Sequence, residues 1–84
     1  MNISKEGILI TQRFFEALDM IIAQGKIRGL QTFTKQYSIN RWNMITIKNN
    51  PETSILKPEY LTYLVRDFGV SAEWLLTGKG KVFD

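Results

Sequence analysis

The residues best suited to chemistry lie in a central segment that carries only positive charge. No Asp or Glu occurs between Asp19 and Glu52, whereas five cationic side chains do, namely Lys26, Arg28, Lys35, Arg41 and Lys48. Binding to phosphate groups needs a basic surface free of carboxylates, so the segment is a candidate for contact with a polyanion. The alternative is an ordinary solvated face, because the whole chain has a formal net charge of only +3.

The chain offers little for catalysis. It contains no His and no Cys, which removes the usual general base near neutral pH, the thiolate nucleophile and the commonest metal ligand. Its eight carboxylates form no spaced pair with an activating neighbour, and no Ser has a His to activate it. The run Lys79-Gly80-Lys81 lacks the preceding strand and the following Ser or Thr of a phosphate loop. The sequence therefore predicts a protein that is not an enzyme, with no cofactor, no metal and no small-molecule substrate.

Length and composition predict one small domain over residues 1–84. The chain is 44% hydrophobic and 12% aromatic, which suits a modest core and is unlike a disordered segment. No apolar run approaches the ~20 residues of a membrane span, and the N-terminal residues lack the apolar region of a signal peptide. We therefore expect a soluble cytoplasmic protein without a membrane partner.

Hydrophobic periodicity predicts an all-α fold, a compact bundle of about five helices. Apolar residues recur at helical spacing in several segments. Gly25 and Gly69 suit helix ends, and Pro58 and Ser71 suit helix starts. No segment alternates long enough to build a sheet. The predicted helices are about 8–24, 30–37, 41–49, 58–68 and 72–77.

In the segment 41–49, RWNMITIKN, local residue propensity and the flanking sequence favour different secondary structures. The run Met-Ile-Thr-Ile inside it favours a β-strand, but a lone strand would have no partner. Asn40 is a good N-cap, and Pro51 lies just beyond the natural end. A helix is therefore predicted, joined to the helix 30–37 by a three-residue turn in helix–turn–helix geometry.

Which face of this helix is buried cannot be decided from periodicity. Helical winding places Met44 and Ile47 on one side and four other residues opposite, Trp42, Ile45, Thr46 and Asn49. A Trp in a small domain is more often a core residue than a contact residue. Arg41 and Asn43 lower those odds, because burial of Trp42 would pull its polar neighbours toward the core.

Two stretches carry a family resemblance. Residues 69–80, GVSAEWLLTGKG, combine Gly-Val-Ser, a Trp-Leu pair and Thr-Gly-x-Gly. Upstream lie the pair Phe33-Thr34, the turn Ser38-Ile39-Asn40, and the aliphatic positions Met44 and Ile47. Over about residues 11–80 the chain resembles the lambda-repressor-like (Xre-type) helix–turn–helix DNA-binding domains of phage and bacterial regulators.

The chain departs from that family pattern at four positions. Thr34 replaces the small Ala that lets the two helices approach closely, and Ser38 replaces the Gly that relaxes the turn. Leu30 stands where the family often has Gln, and Lys48 where it often has Glu. We therefore expect a turn that is looser or differently angled than in typical members.

The resemblance implies that residues 41–49 form a recognition helix in the major groove of double-stranded DNA, with Met44 and Ile47 turned inward. Arg suits guanine, Asn suits adenine, and an apolar edge suits a thymine methyl. Base contacts are then expected from Arg41, Trp42, Asn43, Ile45 and Thr46. Phosphate contacts are expected from Gln31, Lys35, Lys48 and Asn49.

The expected function is sequence-specific binding of double-stranded DNA by a phage-related, repressor-like transcription regulator. We expect a homodimer on DNA, located at the nucleoid in the cytoplasm. The alternative is a protein-interaction module, antitoxin-like or a recombination accessory domain, that uses the surface around Trp42 and Ile45. Trp42 could also serve as a dimer contact or a partial core residue.

Overall fold

The computed structural model describes residues 2–84 and contains five α-helices: α1 Lys5–Ala23, α2 Leu30–Gln36, α3 Arg41–Asn49, α4 Pro58–Phe68 and α5 Ala72–Thr77. The all-α prediction is confirmed, and α3, α4 and α5 have the predicted bounds. Within residues 2–84 no β-strand forms, and the only extended pairing is an isolated bridge between Val70 and Phe83. In the same range no helix is both long enough and apolar enough to cross a membrane.

The predicted bounds of the first two helices need correction. α1 begins at Lys5 rather than near residue 8, because the Ser4 hydroxyl caps it by accepting a hydrogen bond from the Gly7 N–H at 3.1 Å. It ends at Ala23, and Gly25 then takes a left-handed φ of +77°. α2 ends at Gln36, so the turn before α3 has four residues, 37–40, instead of the predicted three.

α1 forms the centre of the core and packs against α3, α4 and α5. Phe14 is fully buried, and its ring meets Phe15 and Phe33 edge to face at centroid distances of 5.0 and 6.0 Å. Trp74 is 8% exposed, so this indole belongs to the core. The other fully buried large side chains are Phe33, Leu18, Ile21, Met44, Leu64, Leu75 and Val70.

The turn between α2 and α3 contains one residue in a backbone conformation that glycine adopts more readily than other residues. Ser38 has a φ of +55°, in the left-handed region. The Ile39 N–H donates to the Thr34 carbonyl at 2.8 Å and closes the turn. Thr34 is itself 3% exposed, and its hydroxyl donates to the Gln31 carbonyl at 3.1 Å, so its polar atom is satisfied inside the helix. Asn40 then caps α3 by accepting from the Asn43 N–H at 3.1 Å, as predicted.

The last helix is held from two sides. The Arg13 guanidinium on α1 donates from Nε to the Leu75 carbonyl at 2.8 Å and from Nη2 to the Leu76 carbonyl at 3.1 Å. These charge-assisted bonds satisfy carbonyls at the end of α5. The residues after α5 then fold back, since the Ser71 N–H donates to the Val82 carbonyl at 2.7 Å.

Candidate nucleic-acid interface

α3 is anchored by two buried side chains and exposes the rest of its surface. Met44 is fully buried and Ile47 is 8% exposed, which confirms the predicted inward pair. Opposite them, Trp42, Thr46 and Asn49 follow one another at i, i+4 and i+7 and form an exposed stripe. Of the nine predicted contact residues, all but the partly buried Ile45 are exposed. The exposed face of α3 is therefore polar apart from Trp42 and the partly buried Ile45.

Trp42 stands out at the start of that face. Its side chain is 67% exposed, so the interpretation of Trp42 as a core residue of this chain is wrong. The Arg41 guanidinium lies over the indole, with its carbon 5.2 Å from the ring centroid. A cation–π contact of this kind contributes about 0.5–1 kcal/mol at an exposed site. Arg41 and Trp42 therefore form one stacked pair.

The polar side chains next to the Arg41–Trp42 pair differ in their unused hydrogen-bonding capacity. The Thr46 hydroxyl donates to the Trp42 carbonyl at 2.9 Å, so its oxygen is free to accept. The Asn50 side-chain amide donates to the Thr46 carbonyl at 3.1 Å and caps the end of α3. In the part of the chain described, the Asn43 side chain makes no hydrogen bond within the protein. Asn43 thus keeps both its donor and its acceptor capacity.

The loop between α3 and α4 adds residues that the sequence did not predict. It lies beside α3 and closes a shallow cleft of about 230 Å³, lined by Asn43, Thr46, Ile47, Ser54, Ile55, Lys57 and Tyr60. Lys57 brings a further exposed cation to this side of α3, and Ile55 is 60% exposed. Only the position of Lys57 directly before Pro58, at the start of a predicted helix, could have drawn attention to it.

The predicted phosphate contacts fall into two groups. Gln31 and Lys35 line one polar groove on α2 together with Arg28, Thr32 and Gln36. Lys48 and Asn49 lie instead in the last turn of α3. Both groups are exposed and belong to the segment without acidic residues.

A polar cluster connects Tyr37, the C-cap residue of α2, to the end of α4. The Tyr37 hydroxyl donates to Asp67 Oδ2 at 2.6 Å, and Arg66 donates from Nε and Nη2 to the two Asp67 oxygens at 2.8 and 2.9 Å. Burial and the bond to Asp67 raise the pKa of Tyr37 to about 12. The hydrogen bonds from Arg66 and Tyr37 lower the pKa of Asp67 to about 2. Asp67 is therefore ionised at neutral pH and forms an ion pair with Arg66.

In residues 2–84 no three carboxylate side chains lie close enough together to hold a metal ion. The chain matches no protein-family model, no curated protein and no solved structure. A functional proposal therefore has to be argued from the fold, the exposed face of α3 and the distribution of charge.

Proposed function

We propose that the protein binds double-stranded DNA in a sequence-specific manner, as a repressor-like, phage-related transcription regulator. α2, the turn 37–40 and α3 act as a helix–turn–helix, with α3 as the recognition helix in the major groove. The observation that supports this most is the division of α3 into a buried apolar anchor and an exposed polar face. A recognition helix needs both, because it must be fixed to the domain while its side chains reach base edges.

The charge distribution supports DNA as the partner. Lys35 on α2 and Lys48 at the end of α3 are both exposed, and the sequence between residues 19 and 52 contains no carboxylate that would repel a phosphate. Gln31 and Asn49 add neutral donors to the same two groups. Contacts of this type position the protein on the duplex and make its affinity depend on salt.

Base reading is assigned to the exposed face of α3. Arg41 can donate a bidentate pair to guanine, and the free amide of Asn43 can pair with adenine. Thr46 can accept a hydrogen bond through its oxygen. Trp42 adds apolar area that suits a thymine methyl or the face of a sugar, and Ile45 adds a smaller apolar edge.

The assembly that fits this mode of binding is a homodimer. Two copies related by a twofold axis would read half-sites about 34 Å apart, the length of one duplex turn. Such a regulator acts at the nucleoid in the cytoplasm.

Selection of bound duplexes from a random pool tests the proposal directly. We expect an enriched sequence with two related half-sites, and an affinity that falls steeply with salt as counterions are released. A flat salt dependence, with no duplex retained at low ionic strength, would refute DNA binding.

Two alanine variants separate base contacts from phosphate contacts. Arg41→Ala and Lys35→Ala each remove one positive charge, so they are matched electrostatically. Arg41→Ala should relax the preference at one base position by roughly 1–3 kcal/mol, whereas Lys35→Ala should weaken all duplexes alike and reduce the salt slope by about one. Equal effects on selected and scrambled duplexes would show that the recognition helix is wrongly assigned.

The second candidate is a protein-interaction module, antitoxin-like or a recombination accessory domain. It is favoured by the exposed apolar area near α3, where Trp42 is 67% and Ile55 is 60% exposed. A protein partner that survives nuclease treatment and is lost in Trp42→Ala would favour this function over DNA binding.

A further inference from the structure

One side-chain hydrogen bond connects the α2–turn–α3 segment to another helix. Tyr37, the C-cap of α2, donates to Asp67 near the end of α4 at 2.6 Å. Throughout residues 2–84, every other side-chain hydrogen bond either stays within one local segment or joins Arg13 to the end of α5. The orientation of the segment relative to α4 therefore depends on this bond and on apolar packing.

Two further side chains, Tyr63 and Arg66, contact the partners of this bond and support its geometry. The rings of Tyr37 and Tyr63 stack in parallel, with centroids 4.0 Å apart and an interplanar angle of 4°. Arg66 holds the acceptor carboxylate of Asp67 through two bonds, and its guanidinium lies 5.7 Å from the Tyr63 ring centroid. The four side chains close a ring in which each is constrained by two others. The Tyr37 hydroxyl also accepts a hydrogen bond from Gln36 Nε2 at 3.3 Å, so its oxygen is bonded to side chains of both α2 and α4.

The cluster lies next to the turn 37–40, which leads into the candidate recognition helix α3. Ser38 follows Tyr37 and has the left-handed φ of +55°, and α3 begins at Arg41 after only four turn residues. Met44 and Ile47 hold the middle of α3 in the core, whereas its first turn is exposed. Only the four turn residues 37–40 therefore separate the Tyr37 side chain from the first turn of α3.

We propose that Tyr37 and Asp67 are positioning residues, whose hydrogen bond fixes the first turn of α3 and thereby sets the discrimination between base sequences. The inference rests on the proposed function, since it assigns base reading to this turn. Affinity for phosphates depends on the charged side chains and is independent of the bond. Discrimination depends on Arg41 and Asn43 reaching base edges within a narrow range of angles.

A matched pair of variants tests the proposal. Tyr37→Phe removes the bonded hydroxyl but keeps the stacked ring, and Tyr63→Phe removes a hydroxyl from the same stack that makes no hydrogen bond in the part of the chain described. Neither variant changes the charge. The readout is the ratio of affinities for the selected duplex and for a scrambled duplex of equal length, with circular dichroism to show that both variants fold.

Tyr37→Phe should lower this ratio by as much as about fivefold, the upper limit set by the net free energy of one hydrogen bond, and leave affinity for the scrambled duplex within about twofold. Tyr63→Phe should leave both affinities unchanged. An unchanged ratio in Tyr37→Phe, or an equal fall in the affinity for both duplexes, would overturn the proposal.

A second measurement on the free protein separates this inference from the proposed function. The chain has no native cysteine, so spin labels can be attached at Glu16→Cys on α1 and Asn43→Cys in the first turn of α3, both exposed positions. The distribution of label–label distances should broaden in Tyr37→Phe and stay narrow in Tyr63→Phe. An unchanged distribution in Tyr37→Phe would refute the positioning role whatever the protein binds. If the distribution broadens but the parent protein binds no duplex, the bond positions α3, while the proposed function and base discrimination both fail.

Discussion

Replacement of Ser38 by glycine is expected to stabilise the protein. Ser38 has a φ of +55°, and the left-handed backbone costs an L-residue roughly 1–2 kcal/mol. Glycine avoids this cost but loses about 0.5–1 kcal/mol more conformational entropy on folding. At the midpoints of these two ranges, the net gain in the free energy of unfolding is about 0.75 kcal/mol. For a domain of this size, the gain would raise the melting temperature by about 3–6 °C.

Urea denaturation followed by far-UV circular dichroism measures this gain, and two control variants isolate its cause. Ser38→Ala keeps the backbone penalty and should bring no stabilisation. Gly69→Ala makes the opposite change at a φ of +70°, where an added Cβ would meet no atom within 4 Å. It should lower the free energy of unfolding by about 1 kcal/mol through the backbone alone.

The result that would refute this reasoning is a Ser38→Gly variant no more stable than the parent protein while Gly69→Ala behaves as expected. The backbone at residue 38 would then not be left-handed. The backbone geometry of the turn that leads into α3 would then be different. The proposed positioning of α3 by Tyr37 would lose its structural basis.

Two further predictions concern the helix ends and the polar cluster. Arg13→Met keeps the apolar stem but removes the bonds to two carbonyls at the end of α5. It should lower the free energy of unfolding by about 1–2 kcal/mol in urea denaturation, with only partial recovery in Arg13→Lys. Asp67 has its folded pKa lowered from 3.8 to about 2, so its carboxylate stabilises the fold above pH 4 and this contribution is lost as the pH falls to 2. Thermal unfolding should show less dependence on pH between 4 and 2 in Asp67→Asn than in the parent protein, and equal dependence in both would contradict the assignment.

Local signals predicted much of the fold because they act within a few residues. Asn40 and Ser71 each accept the hydrogen bond expected of an N-cap, at 3.1 Å in both cases. Pro58 begins α4, and Gly69 ends it with a left-handed φ of +70°. The β-propensity of residues 44–47 had no effect on the outcome, since a helix with a capped start and two buried anchors was available.

The start of α1 shows how a local signal can be missed. The first strongly periodic apolar residue is Ile8, so periodicity placed the start near residue 8. The cap at Ser4 adds a further turn that contributes little to the apolar stripe.

The parts of the candidate site that were not predicted depend on the tertiary structure. Tyr37 and Asp67 are thirty residues apart in sequence, and no periodicity relates them. Lys57 reaches the side of α3 only because the loop after α3 turns back. The contact of Arg41 with the Trp42 ring involves neighbouring residues, but it depends on side-chain rotamers that composition does not specify.

The two Trp side chains give the protein a built-in pair of fluorescent probes. Trp42 is 67% exposed, so its emission should be red-shifted and quenched by iodide from solution, whereas Trp74 at 8% should emit at shorter wavelength and be protected. An event at the face of α3 would change only the first signal, and loosening of the core would change the second. Emission spectra of the unlabelled chain with and without iodide can therefore distinguish a partner that docks on α3 from a perturbation that unfolds the domain.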